Sequence, residues 1–300
     1  MTSKIRALGI VVVLGFILSL GIALLTFSYS EVGLTSEIGS LSAPACDIST
    51  VPQSVVENAT EKAMELFGDC QEKCDDFVSQ LLSAYLEAKD KNFVIVFNAG
   101  GWGWSLLEPS SGWQSILDGI KSELDTSGYT SLLLNYQRTA ETLRGCLDEC
   151  VEVVSSCPSK AKDLATRVQF LTNNIPDLRV IIAGESTGTV ISDSAMNILE
   201  GNPQVYSIQT GPPFWQKNLS LERTLVITNN GLNPDSFSQG DFLTLIRSNI
   251  KSLFGISQPQ DDSGKILYYV RAPGHEYRWN YPGVYFEILG FLSQNFRVRR

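Results

Sequence analysis

The chain of 300 residues has one histidine, no C-x-x-C pair, and a single basic cluster, Arg297-Val298-Arg299-Arg300. Each scarcity narrows the class of function. Without a C-x-x-C pair or a histidine near the cysteines, zinc is the lesser alternative for them. The 32 acidic residues outweigh the 23 Lys and Arg to give a net charge of −9, so no basic footprint for nucleic acid exists. The terminal arginines read as a solvated tail. No segment repeats, which excludes a solenoid or propeller. What is present is a hydrophobic share of 43%, enough for a packed globular body in place of disorder.

Residues 8–27 form an uncharged apolar run, long enough to cross a hydrocarbon core of about 30 Å. Lys4 and Arg6 precede it, and Glu31 and Glu37 follow. The positive-inside rule then puts the N-terminus in the cytoplasm and the body outside. The expectation is a retained single-pass transmembrane helix through which the protein meets the membrane. The alternative is a cleaved signal peptide and a secreted body, with Ser28 and Ser30 offering small residues near a cut. Cys46, Cys70, Cys74, Cys146, Cys150 and Cys157 all follow that run. In an oxidising compartment they read as three disulfides. Cys70/Cys74 and Cys146/Cys150 have i,i+4 spacing on predicted helices, so two helical faces can be cross-linked twice, leaving Cys46 for Cys157.

Residues 28–50 read as a linker, and 51–300 as the body. Residues 51–88 and 139–174 are predicted helical and carry five of the cysteines, with Gly68 dividing the first stretch. Short apolar runs at 93–97, 131–136, 180–183, 205–209, 224–228 and 266–270 are predicted strands. Helices are predicted at 113–124, 189–199, 242–254 and 283–294. The apolar face of 242–254 reads as core packing, with a lid over a pocket as the sharper alternative. Strands alternating with helices predict an α/β fold: a mainly parallel sheet with helices on both faces. Ligands then bind beyond the carboxyl ends of the strands.

The chemistry concentrates in Gly184-Glu185-Ser186-Thr187-Gly188, which falls between a predicted strand and a predicted helix. That context turns a G-x-S-x-G pentapeptide into a sharp elbow, with glycines where a Cβ would collide and the serine hydroxyl exposed. Serine needs a base, and His275, just past the last predicted strand, is the only imidazole available. A carboxylate must orient it. Asp235, in the loop after the 224–228 strand, is the candidate; Asp241 is the reserve, and Glu222 lies at the wrong end of its strand. Two oxyanion donors are needed, and Thr187 N–H and a glycine near Gly101 are the candidates. Glu185 is assigned no step. Trp102, Trp104, Phe214 and Trp215 fall in the same set of loops and suggest an apolar wall for a hydrophobic substrate group.

A Gly-rich loop, G-x-S-x-G, Asp and His, each after a successive strand, resemble the α/β-hydrolase superfamily over residues 92–294. Gly-Glu-Ser-Thr-Gly is similar to the Gly-Glu-Ser-Ala-Gly elbow of carboxylesterases, and Asn98-Ala-Gly-Gly stands where lipases and esterases often carry His-Gly-Gly. The resemblance implies Ser186 as nucleophile, His275 as base and Asp235 as acid, with no cofactor. The resulting expectation is a membrane-anchored, extracytoplasmic serine hydrolase cleaving a small-molecule or lipid ester through an acyl-enzyme. The alternative is a non-catalytic binding or scaffold protein that keeps the fold.

Overall fold

The computed structural model describes residues 33–36, 50–101, 111–138, 158–216, 222–257, 264–266 and 270–298. A short strand β1 (Gly33–Ser36) precedes helices α1 (Gln53–Phe67) and α2 (Gln71–Ala88). Gly68 ends α1 with φ +59°, a conformation that glycine adopts without a Cβ penalty. The core alternation follows: β2 (Phe93–Asn98), α3 (Ser111–Thr126), β3 (Ser131–Gln137), α4 (Pro158–Asn174), β4 (Arg179–Glu185), α5 (Gly188–Ile198), β5 (Val205–Thr210) and β6 (Thr224–Ile227). Helix α6 (Phe242–Leu253), the two-residue strands β7 (Lys265–Ile266) and β8 (Val270–Arg271), and helix α7 (Pro282–Phe296) complete it. Pro282 opens α7, at a position where a missing N–H leaves no helical bond unmade.

The main sheet has the order β1-β3-β2-β4-β5-β6. All its pairings are parallel except β1 with β3, so the stretch expected as linker supplies an antiparallel edge. The central strands are buried on both faces, which explains their unbroken apolar runs. Strand periodicity divides their side chains. Val94, Val96, Val180 and Ile182 join one core with α1, α2, α4 and α5. Phe93, Ile95, Phe97, Ile181 and Ala183 join the other with α3 and α7. Helices therefore cover both faces, as the α/β reading expects.

Several expectations are corrected. Among the described residues no helix is long and apolar enough to cross a membrane. The longest, α2, has 18 residues and carries Glu72, Lys73, Asp75, Asp76 and Glu87. The α/β body behind a transmembrane helix, with its single-pass location and membrane partner, is thus reduced to the α/β body; residues 8–27, where that helix was expected, lie outside the described residues. The expected cross-links from α2 are corrected as well, because Cys70 and Cys74 are free thiols. Cys70 is exposed at the start of α2, whereas Cys74 turns inward with its Sγ 3.5 Å from Gly68 O. Cys46, Cys146, Cys150 and Cys157 lie outside the described residues.

The strand expected at 266–270 is not a sixth member of the main sheet: β7 and β8 pair antiparallel with each other. The apolar stripe of α6 faces outward, not into a core. Leu243 and Leu253 are 82% and 84% exposed, and Phe242 and Ile246 are exposed too, while Ser248 is buried. On the side turned to the body, Asn249 Nδ2 donates to Arg271 O and its Oδ1 accepts from Arg271 N, both at 2.9 Å. This side-chain amide completes a peptide-like pair with β8, on the polar face of α6.

Candidate active site

β4 delivers Ser186 to the sheet's carboxyl edge, and α5 carries the chain away. Between them Ser186 takes φ +48°, rare for a residue with a Cβ and the signature of a strained elbow. Its N–H donates to Thr210 O at 2.9 Å, and its carbonyl accepts from Thr189 N at 3.0 Å and Thr189 Oγ1 at 2.6 Å. The glycines at the shoulders are sterically required. A Cβ on Gly184 would lie 2.7 Å from Ser192 Oγ, and one on Gly188 would overlap the carbonyl oxygen of Asn98.

His275 and Asp235 arrive from the far side of the sheet. His275 Nε2 lies 3.0 Å from Ser186 Oγ, and His275 Nδ1 lies 2.8 Å from Asp235 Oδ2. An ionised carboxylate only accepts, so Nδ1 carries the proton and Nε2 is left to accept from the serine hydroxyl. Asp235 is fully buried. Burial alone would raise its carboxyl, but the His275 hydrogen bond and charge, the Tyr277 hydroxyl and the Ser238 N–H together hold it below the usual range. The donors are Tyr277 Oη at 2.7 Å and Ser238 Oγ at 2.9 Å to Oδ2, with Phe237 N at 2.9 Å and Ser238 N at 3.1 Å to Oδ1. Tyr277 is correspondingly pushed far upward, by its own burial and then by the Asp235 charge.

The acid and base loops are one unit. Asn230 Nδ2 donates to Gly274 O at 3.1 Å and Glu276 O at 2.8 Å, and Ser236 N donates to Pro273 O at 3.0 Å. Asp241, the reserve acid, is engaged elsewhere: it caps α6, accepting from Thr244 N at 3.1 Å and Thr244 Oγ1 at 2.6 Å. Those Thr244 hydrogen bonds lower its carboxyl.

Facing the elbow is the loop after β2. Asn98 is buried and binds α5 through Nδ2, 2.8 Å from Gly188 O and 3.1 Å from Ser192 Oγ. Arg138 Nη1, also buried, donates to Asn98 Oδ1 and to Ala99 O. Gly100 N donates to Glu185 Oε2 at 3.2 Å, and Thr187 Oγ1 donates to Gly101 O at 2.9 Å. Neither Gly101 N–H nor Thr187 N–H donates to an acceptor among the described residues.

Phe214 and Trp215 are partly exposed, at 41% and 45%, and touch each other edge to face. Both meet Phe237, whose ring lies 5.0 Å from that of His275, and Phe214 also meets Phe242. Trp102 and Trp104 lie outside the described residues. Trp113 belongs to the core, with Nε1 donating to Thr210 Oγ1 at 2.9 Å.

Behind the elbow, buried Asp193 on α5 is raised to about 6 by burial, against hydrogen bonds to Gln216 and Gln209. Gln216 Oε1 in turn accepts from Thr189 Oγ1 at 2.7 Å. Sequence reasoning missed Tyr277, Ser238, Asn230, Arg138 and Asp193. Tyr277, two residues past the lone histidine, carried the one available hint.

A parallel sheet covered on both faces, with a strained serine on the turn from a central strand into a helix, is an α/β-hydrolase-like architecture. Ser186, His275 and Asp235 are joined at the sheet edge in the arrangement of a Ser-His-Asp hydrolase triad. No family model matches the chain, and no curated protein matches it. A solved structure of Trichoderma reesei cutinase in complex with a C11Y4 phosphonate inhibitor is similar at 12% identity, over 59% of this chain and 77% of that one, with a TM-score of 0.31.

Proposed function

We propose that the protein hydrolyses a carboxylic ester with an apolar acyl or alcohol group through an acyl-enzyme on Ser186. The observation that carries this reading is the unbroken relay from Ser186 Oγ through His275 to buried Asp235. Ser186 Oγ attacks the ester carbonyl as its proton passes to His275 Nε2, and Asp235 balances the charge that forms on the ring. The carbonyl oxygen becomes an oxyanion, for which Thr187 N–H and Gly101 N–H are the donors in this reading. Collapse expels the alcohol, which takes the proton from Nε2. Water, deprotonated by the same nitrogen, then attacks the acyl-serine and releases the acid and free Ser186. The half-exposed rings of Phe214 and Trp215 beside Phe237 favour an apolar group on the substrate.

The test is covalent labelling of the full-length protein with a fluorophosphonate, alongside Ser186→Ala and His275→Ala. Labelling of the parent, lost in both variants, is expected. A p-nitrophenyl ester series should then favour longer acyl chains, with KM rising several-fold in Phe214→Ala. Folded parent that takes no label would sink the hydrolase reading in favour of a binding protein built on the same fold.

A further inference from the structure

The loop facing Ser186 is held by two side chains of opposite charge that no catalytic step uses. They grip the two ends of one peptide group. Arg138 Nη1 donates to the carbonyl of Ala99, and Glu185 Oε2 accepts from the N–H of Gly100 at 3.2 Å. These are the C=O and N–H of the same trans peptide, which point in opposite directions. The peptide is therefore pinned between a guanidinium and a carboxylate. On the far side, Thr187 Oγ1 fixes the carbonyl of Gly101 at 2.9 Å. The Gly100–Gly101 peptide lies between these two fixed points, and its N–H has no acceptor among the described residues. The loop also touches the elbow directly, since a Cβ on Gly100 would lie 3.1 Å from Ser186 Cβ.

We propose that Glu185 and Arg138 are positioning residues that set the direction of the Gly101 N–H toward the oxyanion formed at Ser186. The proposal rests on the hydrolase reading and deepens it. Glu185 sits immediately before the nucleophile, so its carboxylate ties the donor loop to the same elbow that aims Ser186. By occupying the Gly100 N–H it also leaves the Gly101 N–H as the open donor. Gly101 at φ +62° lets the chain turn so that its own carbonyl reaches Thr187. Arg138, anchored by Asn98 Oδ1, keeps the pinned peptide from swinging toward Glu185.

The experiment uses the full chain with Glu185→Ala, Glu185→Gln and Arg138→Lys. Its readouts are ester kinetics and amide exchange of ¹⁵N-glycine-labelled protein. A donor held off its aim lowers kcat and spares ground-state binding. Glu185→Ala should therefore lose about 10- to 100-fold in kcat, with KM within about twofold. Glu185→Gln keeps an acceptor oxygen for Gly100 N–H and should retain kcat within about threefold. The Gly100 amide should be protected in the parent and in Glu185→Gln, and exchange faster in Glu185→Ala. Arg138→Lys should lower kcat in the same way; if it fails to fold, the Glu185 pair decides alone. Unchanged kcat in Glu185→Ala, equal losses in Ala and Gln, or a loss confined to KM would overturn the positioning role while the hydrolase reading stands. Parent protein with a protected Gly100 amide but no fluorophosphonate labelling would remove the hydrolase reading, and this role with it.

Discussion

Replacing Asp193 with asparagine should stabilise the protein at neutral pH and leave it unchanged in acid. Asp193 lies on the buried face of α5, and its burial raises the carboxyl to about 6 although Gln216 and Gln209 hydrogen-bond to it. In the unfolded chain the same group titrates near about 3.9. The native state thus holds the proton more tightly than the unfolded state. Below about pH 4 both states are protonated and ionisation of this group does not weigh on stability. As pH rises through about 6, folding must keep a buried carboxylate ionised, and the stabilisation that protonation gave is lost. Two pK units at about 1.4 kcal/mol each set a ceiling of about 3 kcal/mol, and residual solvent screening brings the expected value nearer 1–2 kcal/mol. Asparagine keeps the shape without the charge. Asp193 Oδ1 has no donor among the described residues, so an amide group there breaks no hydrogen bond at that atom. Urea unfolding of the full-length parent and Asp193→Asn at about pH 4 and about pH 7.5 should give coincident midpoints in acid and a higher midpoint for the variant at neutral pH. A variant less stable at neutral pH, or an offset of the same size at both pH values, would refute the reasoning.

Two further outcomes follow from the elbow and the relay. Asp235→Asn offers His275 Nδ1 an amide that can donate, which moves the ring proton to Nε2. Ester turnover should fall about 10³- to 10⁴-fold with far-UV circular dichroism unchanged, and a loss under tenfold would contradict the tautomer argument. Gly188→Ala puts a methyl into the carbonyls of Asn98 and Ala99, so the loop after β2 must retreat from α5. A loss of about 2–4 kcal/mol in urea unfolding is expected, and an unshifted midpoint would mean that the loop does not pack on α5 as described.

The features legible in the sequence are those set by local periodicity. Unbroken runs such as Val180-Ile181-Ile182-Ala183 announce strands buried on both faces, and the two glycines flanking Ser186 between a strand and a helix announce the elbow, although only Gly184 avoids a local collision and Gly188 makes room for the distant Asn98 carbonyl. The lone imidazole points to His275 by elimination, and the convergence of strand ends in a parallel sheet points to Asp235. The rest depends on tertiary partners. Periodicity reveals that α6 has an apolar stripe but not which side faces the body, and the side that does carries Asn249, paired with β8. The i,i+4 cysteines mark a shared helical face but not a bonded partner, and Cys74 uses that face to enter the core. Tyr277 and Arg138 act across 42 and 39 residues of chain respectively, where spacing holds no signal. Short strands such as β7 and β8, two residues each, bury too little to impose a period.

That the imidazole between Ser186 and Asp235 is the only one in the molecule has a practical consequence. In most enzymes the signal of a working histidine must be sorted from those of its bystanders. Here the one Cε1 proton resonance belongs to the site, and its movement with pH follows the relay without assignment or mutagenesis. A carbethoxylating reagent has one ring to find, so the stoichiometry of modification reads directly as occupancy of the site. A polyhistidine tag would forfeit this, and material for such work calls for a purification handle of another kind.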